Sequence, residues 1–247
     1  MLKQQIIEQL RSLKLSHMAR YFDSHYARMI KQQMNPMQIM DELLTCEITA
    51  RRNNTIKKLI KAAKFCYPNA SIESMHHSYA GKTAQIDYLF DDYWIGECAA
   101  VAILGATGTG KTWLACALGN QACRNFKKVL FISTHELFED ISLSQMDGTL
   151  LKTQQKYAKA QVLIIDDFGV GGIPANVCTA LLSIIEKQSF VGGLIITSQY
   201  PIETWHGLFQ DKTLADAILD RIVHRAHRVQ LQGESLRKRH TTRKHTK

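Results

Sequence analysis

Ala99-Ala100-Val101-Ala102-Ile103-Leu104-Gly105-Ala106-Thr107-Gly108-Thr109-Gly110-Lys111-Thr112-Trp113 is the stretch on which the fold turns. A short apolar run leads directly into the pattern G-x-x-x-x-G-K-T, and a helical pattern follows from Lys111 to Arg124. In that context the glycines let successive backbone N–H groups turn inward around phosphate, while the positive end of the following helix points at the same charge. Lys111 is then placed to reach the β and γ phosphates of a nucleotide, and Thr112 to offer its hydroxyl to magnesium. The candidate nucleotide contacts are Gly105, Ala106, Thr107, Gly108, Thr109, Gly110, Lys111, Thr112 and Trp113.

Downstream, Val162-Leu163-Ile164-Ile165-Asp166-Asp167 is an apolar strand closed by two acids. A carboxylate at such a strand end can face the phosphate loop across the sheet. Asp166 is the metal candidate, and Asp167 the residue that orients or deprotonates an attacking water. A further strand, Leu194 to Ser198, follows the acidic one and is suited to lie between the two motif strands. Gln199 after it either touches the γ phosphate or opens the loop before Pro201. Strands at Ala99 to Leu104, Val129 to Ser133, Val162 to Asp166, Leu194 to Ser198 and His227 to Leu231 alternate with helical patterns. Those helices run from Lys111 to Arg124, Glu136 to Ser144, Leu151 to Ala160, Ala175 to Phe190 and Leu214 to Arg225. The alternation predicts an α/β fold with a parallel five-stranded sheet and flanking helices. Arg221, with Asp220 as its local partner, either forms a surface salt bridge or acts on a neighbouring subunit's nucleotide.

Upstream the pattern is wholly helical. Apolar residues recur from Leu2 to about Ile30, Asn35-Pro36 interrupts, and a second run extends from Met37 to about Phe65. Its later part sets Ile56, Leu59, Ile60 and Ala63 against Arg51, Lys57, Lys58, Lys61 and Lys64, a basic face about 20 Å long. Arg51, Arg52, Lys57, Lys58, Lys61 and Lys64 are the candidate DNA phosphate contacts, against the alternative of a solvated face. The expected organisation is a helical DNA-binding domain over 1–66, a connector over 67–96, an ATPase domain over 97–236 and a disordered basic tail over 237–247.

Composition narrows the function classes. Hydrophobic residues at 45% and charged residues at 21% fit an ordinary globular chain rather than a disordered one. Lys and Arg outnumber Asp and Glu by 31 to 22, which favours a polyanionic partner. The six cysteines form no C-x-x-C pair, so neither a zinc site nor a disulfide framework is indicated and the cytosol fits best. No signal core or membrane-spanning run is evident.

Taken together, these residues resemble the IstB/DnaC branch of the AAA+ ATPases, and in particular its IstB-type transposition helpers. The resemblance extends through Leu43-Leu44-Thr45-Cys46-Glu47 with Arg51, Ala62-Ala63-Lys64-Phe65, Ile196-Thr197-Ser198-Gln199, Trp205, Leu214-Ala215-Asp216-Ala217-Ile218-Leu219-Asp220-Arg221 and Gly233-Glu234-Ser235-Leu236-Arg237. It implies a bacterial ATP- and Mg2+-dependent homo-oligomer on double-stranded DNA that assists a cognate transposase, with ATP sites between subunits. It assigns Lys111 and Thr112 to ATP and magnesium, Asp166 to magnesium, Gln199 to the sensor position and Arg221 to the arginine finger. It also implies an AAA+ fold with no C-terminal lid, and few residues follow Leu231. Three positions depart from wider patterns: Asp167 replaces the usual catalytic Glu, Gln199 the usual Asn, and Trp113 stands where relatives often carry His. The shorter carboxylate implies slow hydrolysis. A helicase loader, a small-molecule kinase and a scaffold that uses ATP only for assembly are the rival readings.

Overall fold

The structure is a computed structural model that describes residues 1–71, 73, 86 and 88–232. The chain divides into two compact units, Met1–Lys58 and Leu59–Lys247.

In the first unit, α1 (Leu2–Ser12) and α2 (Ser16–Lys31) pack with the early turns of α3 (Pro36–Ala63) around Ile7, Met18, Ala19, Phe22, Met29 and Leu43. The helical run expected from Leu2 onward is broken at Lys14. That residue takes φ 60°, and the Leu15 amide donates to the Leu10 carbonyl at 2.8 Å. A left-handed residue with this six-to-one bond ends a helix, ordinarily with glycine, so a lysine there gave no sign in the sequence. The next start is legible. The Asn35 side chain accepts from the Gln38 amide at 2.9 Å, the Asn35 amide donates to Gln38 Oε1 at 3.1 Å, and Pro36 occupies the first helical position.

The second unit is a three-layer sandwich. After a short helix, α4 (Tyr93–Gly96), come β1 (Ala100–Leu104), α5 (Lys111–Arg124), β2 (Val129–Ser133), α6 (Thr134–Met146), α7 (Leu150–Ala158) and β3 (Val162–Asp166). Then follow α8 (Ala175–Gln188), β4 (Gly193–Ser198), α9 (Trp205–Leu208), α10 (Lys212–Val223) and β5 (Ala226–Gln230). All pairings are parallel and the strand order is β2-β3-β4-β1-β5. The two motif strands β1 and β3 are therefore separated by β4, as expected from the sequence.

Alternation along the strands builds both cores. Ala100, Ala102, Leu163, Ile165, Leu194 and Ile196 face one layer, which contains Tyr157, Phe168, Leu181, Trp205 and Ile218. Val101, Ile103, Val162, Ile164 and Ile195 face the other, with Leu114, Leu118, Phe65 and Trp94. Trp94, expected in a connector, is fully buried, and its ring lies where a Cβ on Gly193 would meet it at 2.1 Å.

Candidate nucleotide site

The phosphate loop leaves β1 at its C-terminal end, where parallel α/β sheets present their ligand crevice. Gly105 must be glycine: a Cβ there would lie 2.6 Å from the Leu231 carbonyl oxygen and 2.9 Å from Thr109 Oγ1. Gly110, at φ 91°, turns the chain into α5 and caps it. Thr109 donates its hydroxyl to the Ala106 carbonyl at 2.8 Å, closing the loop on itself. Lys111 is only 5% exposed, and its Nζ donates to the same carbonyl at 3.0 Å, which keeps the ammonium inside the loop.

Thr112, on the first turn of α5, donates its hydroxyl to Asp166 at 3.0 Å from each carboxylate oxygen, across 54 residues of sequence. Sequence reasoning paired these residues and the fold brings them together. Asp166 is 6% exposed. Burial pushes its carboxyl above the usual range and Asp167 adds to the shift, while Thr197, Thr112 and Lys111 oppose it. A hydroxyl and a carboxylate converging beside a phosphate cradle are hard oxygen donors of the kind that hold Mg2+ together with nucleotide phosphates, so the residues present fit that ion.

Asp167 is half-buried and takes φ 55°, uncommon for a side chain with a Cβ. Its amide donates to Thr197 Oγ1 at 2.9 Å, and that hydroxyl donates to Asp166 Oδ1 at 2.5 Å. Thr134 donates to the Asp166 carbonyl at 2.9 Å from the start of α6. Gln199 lies beside the loop, accepting the Thr107 hydroxyl at 2.7 Å. Trp113 is half-buried and packs on the Val101 and Ile103 side of the core.

Arg221 is placed elsewhere. It sits in the last turn of α10, and Arg225 just beyond contributes its carbonyl to the amide of Ala100, the first residue of β1. Arg221 is thus at the N-terminal edge of the sheet, opposite its own phosphate loop. Its expected partner also changes: Nη2 donates to Glu186 Oε1 at 3.1 Å and Nη1 to the Ala217 carbonyl at 2.9 Å, whereas Asp220 pairs with His224 at 3.0 Å. Glu186, Arg221, Phe190, His224 and Arg225 line an open cavity of about 600 Å³.

The Arg51, Arg52, Lys57, Lys58, Lys61 and Lys64 side chains are exposed. Arg51 is engaged with its own unit: Nε donates to Glu47 Oε1 at 2.8 Å and Nη2 to the Lys14 carbonyl at 2.9 Å. The charge of Lys64 acts on Asp140, after the stronger pull of Tyr157 and Lys156. Gly233 to Arg237 and the basic tail lie outside the described residues.

Thr197 and Thr134 were not singled out for a role. Their signal was weak, since a threonine within or beside a β strand is ordinary. Only their complete burial next to an acid marks them.

The family model described as IstB-like ATP binding protein matches residues 8–244. The chain belongs to this family. It is 34% identical over 96% of its length to a Sinorhizobium fredii protein assigned as an insertion sequence ATP-binding protein, of which 98% is covered. A Pseudomonas fluorescens relative, assigned as the ATP-binding protein of insertion sequence IS1162, is 33% identical over 83% of this chain and 89% of its own. Among solved structures, the DnaC helicase loader matches with a TM-score of 0.58 at 18% identity, covering 67% of this chain and 98% of that one. DnaI matches with a TM-score of 0.57 at 20% identity, covering 71% and 94%. At such identities these two matches establish the fold alone. No helix among the described residues is long and apolar enough to cross a membrane.

Proposed function

We propose that this IstB-like protein binds and slowly hydrolyses ATP with Mg2+, assembles on duplex DNA and assists a separate transposase in placing its element. The observation that carries the reading is the Thr112 hydroxyl at 3.0 Å from both Asp166 oxygens beside the phosphate loop. Membership in a family of insertion sequence ATP-binding proteins supports the transposition role.

The loop amides and Lys111 bind the phosphates, and Lys111 exchanges the Ala106 carbonyl for phosphate oxygen when nucleotide enters. Thr112 and Asp166 hold the ion, which when bound neutralises charge on the β and γ phosphates. Asp167 orients or deprotonates water, at a reach one methylene shorter than glutamate, which supports slow turnover. Gln199 contacts the γ phosphate from the neighbouring strand, and Arg221 serves the site of an adjacent subunit. Lys57, Lys58 and Lys61, with their exposed neighbours, contact DNA phosphates and so position the protein without selecting sequence.

Sedimentation on random duplex and single-stranded DNA, with ATP, ADP or no nucleotide, tests the reading. Large complexes on duplex with ATP are expected. Preference for single strands would move the protein to the helicase-loader class, and absence of DNA binding in every state would leave a nucleotide-binding enzyme with no DNA role.

A further inference from the structure

Thr197 is the penultimate residue of β4 and is fully buried. The β3–β4 register pairs Ile165 with Ile196, so Thr197 stands level with Asp166, where β3 ends. A threonine hydroxyl has one proton to give and lone pairs to accept with. Here the proton goes to Asp166 Oδ1 at 2.5 Å, and the oxygen accepts the Asp167 amide at 2.9 Å. The backbone repeats the connection: the Phe168 amide donates to the Thr197 carbonyl at 2.8 Å, and Ser198 Oγ donates to the Phe168 carbonyl at 2.8 Å. Both acids are thus fixed from one strand. That strand also leads to Gln199, which accepts from Thr107 in the phosphate loop at 2.7 Å.

We propose that Thr197 is a positioning residue of the nucleotide site, whose hydroxyl sets the Asp166 carboxylate for the metal ion and holds the left-handed Asp167 backbone in place. The inference deepens the proposed ATP and Mg2+ reading and rests on it. Branching at Cβ restricts the rotamers of Thr197, so its hydroxyl is aimed before any ligand arrives. The amide bond offsets the strain of a non-glycine residue at φ 55°. A shift of β4 sensed through Gln199 would therefore move both acids together, linking the state of the γ phosphate to the metal and water positions.

Thr197→Val keeps the shape and removes the hydroxyl; Thr197→Ser keeps the hydroxyl and removes the methyl. ATP affinity is measured for each by equilibrium binding in Mg2+ and in EDTA, alongside a thermal melt. For Thr197→Val the gain in affinity conferred by Mg2+ should shrink about tenfold, the scale of one missing hydrogen bond to a charged group, with affinity in EDTA unchanged. Thr197→Ser should restore the gain. If Thr197→Val does not fold, Thr197→Ala is read in the same way. An undiminished gain in the hydroxyl-free variant overturns the proposal, and so does an equal loss with and without Mg2+, which marks a purely structural role. A parent protein whose ATP affinity ignores Mg2+ sinks the metal reading of Asp166 itself, which separates that failure from failure of the Thr197 inference.

Discussion

Asp166 is held where a carboxylate is costly unless a cation arrives. Desolvation raises it, and the adjacent Asp167 adds to the effect. With its folded value above the unfolded one, the folded protein binds more protons between the two values. The resulting stability is present at acid pH and lost as pH rises through the raised value. Asp166→Asn should therefore raise the melting temperature of nucleotide-free protein at neutral pH by about 2–4 °C, the shift that roughly 1 kcal/mol produces in a chain of this size. The gain should shrink toward acid pH and be accompanied by loss of Mg2+-dependent ATP binding. Thermal melts across pH check the sign, and a variant less stable than the parent at neutral pH would contradict it. At this scale the sequence was readable wherever a motif demands one residue type, as at Lys111, Thr112 and Asp166. It was opaque at Thr197, because a hydroxyl that bridges two acids is defined by strand register rather than by spacing along the chain.

Strands β2 and β3 were legible to the residue, since each is a continuous apolar run closed by a polar residue, Val129–Ser133 at the sheet edge and Val162–Asp166 buried throughout. The α1–α2 break was not, because its stop is a left-handed lysine. The role of Trp94 was also hidden: an aromatic in an acidic, weakly patterned stretch becomes core only because Gly193 leaves room for its ring. On α3 the sequence supplied the charges but not their engagement. Arg51 is tied to buried Glu47, whose carboxyl burial alone would raise; the Met18 amide, Arg51 and the His17 amide outweigh it and hold it low. Lys57, Lys58 and Lys61 are exposed and form no ion pair among the described residues. Replacing these three by glutamine should weaken duplex binding and flatten the dependence of log affinity on log salt by about 0.9 for each phosphate no longer neutralised. Replacing Arg51 should instead destabilise the helical unit. An unchanged salt slope in the triple variant would place the DNA surface elsewhere.

For the whole molecule, the position of Arg221 bears on whether the proposed nucleotide site works within one chain or between two. Helix α10 carries it to the N-terminal edge of the sheet, next to the Arg225–Ala100 hydrogen bond. The phosphate loop of the same chain begins beyond Leu104, five strand residues further on. Five residues of strand span about 16 Å, more than an arginine side chain covers, so Arg221 cannot serve its own nucleotide. It rests on Glu186 and the Ala217 carbonyl at the side of an open cavity. In a head-to-tail ring each interface would then combine one chain's loop with the next chain's arginine. Lys111→Ala should lose ATP binding, and Arg221→Ala should keep it while losing hydrolysis. Mixed in equal amounts on duplex DNA, the two inactive proteins should recover activity, because a quarter of randomly formed interfaces, about 25% of the parent rate, join an intact loop to an intact arginine. Steady-state phosphate release from the mixture measures this directly. A mixture as inactive as its components would leave Arg221 a structural role only, and the head-to-tail arrangement would lose its catalytic rationale.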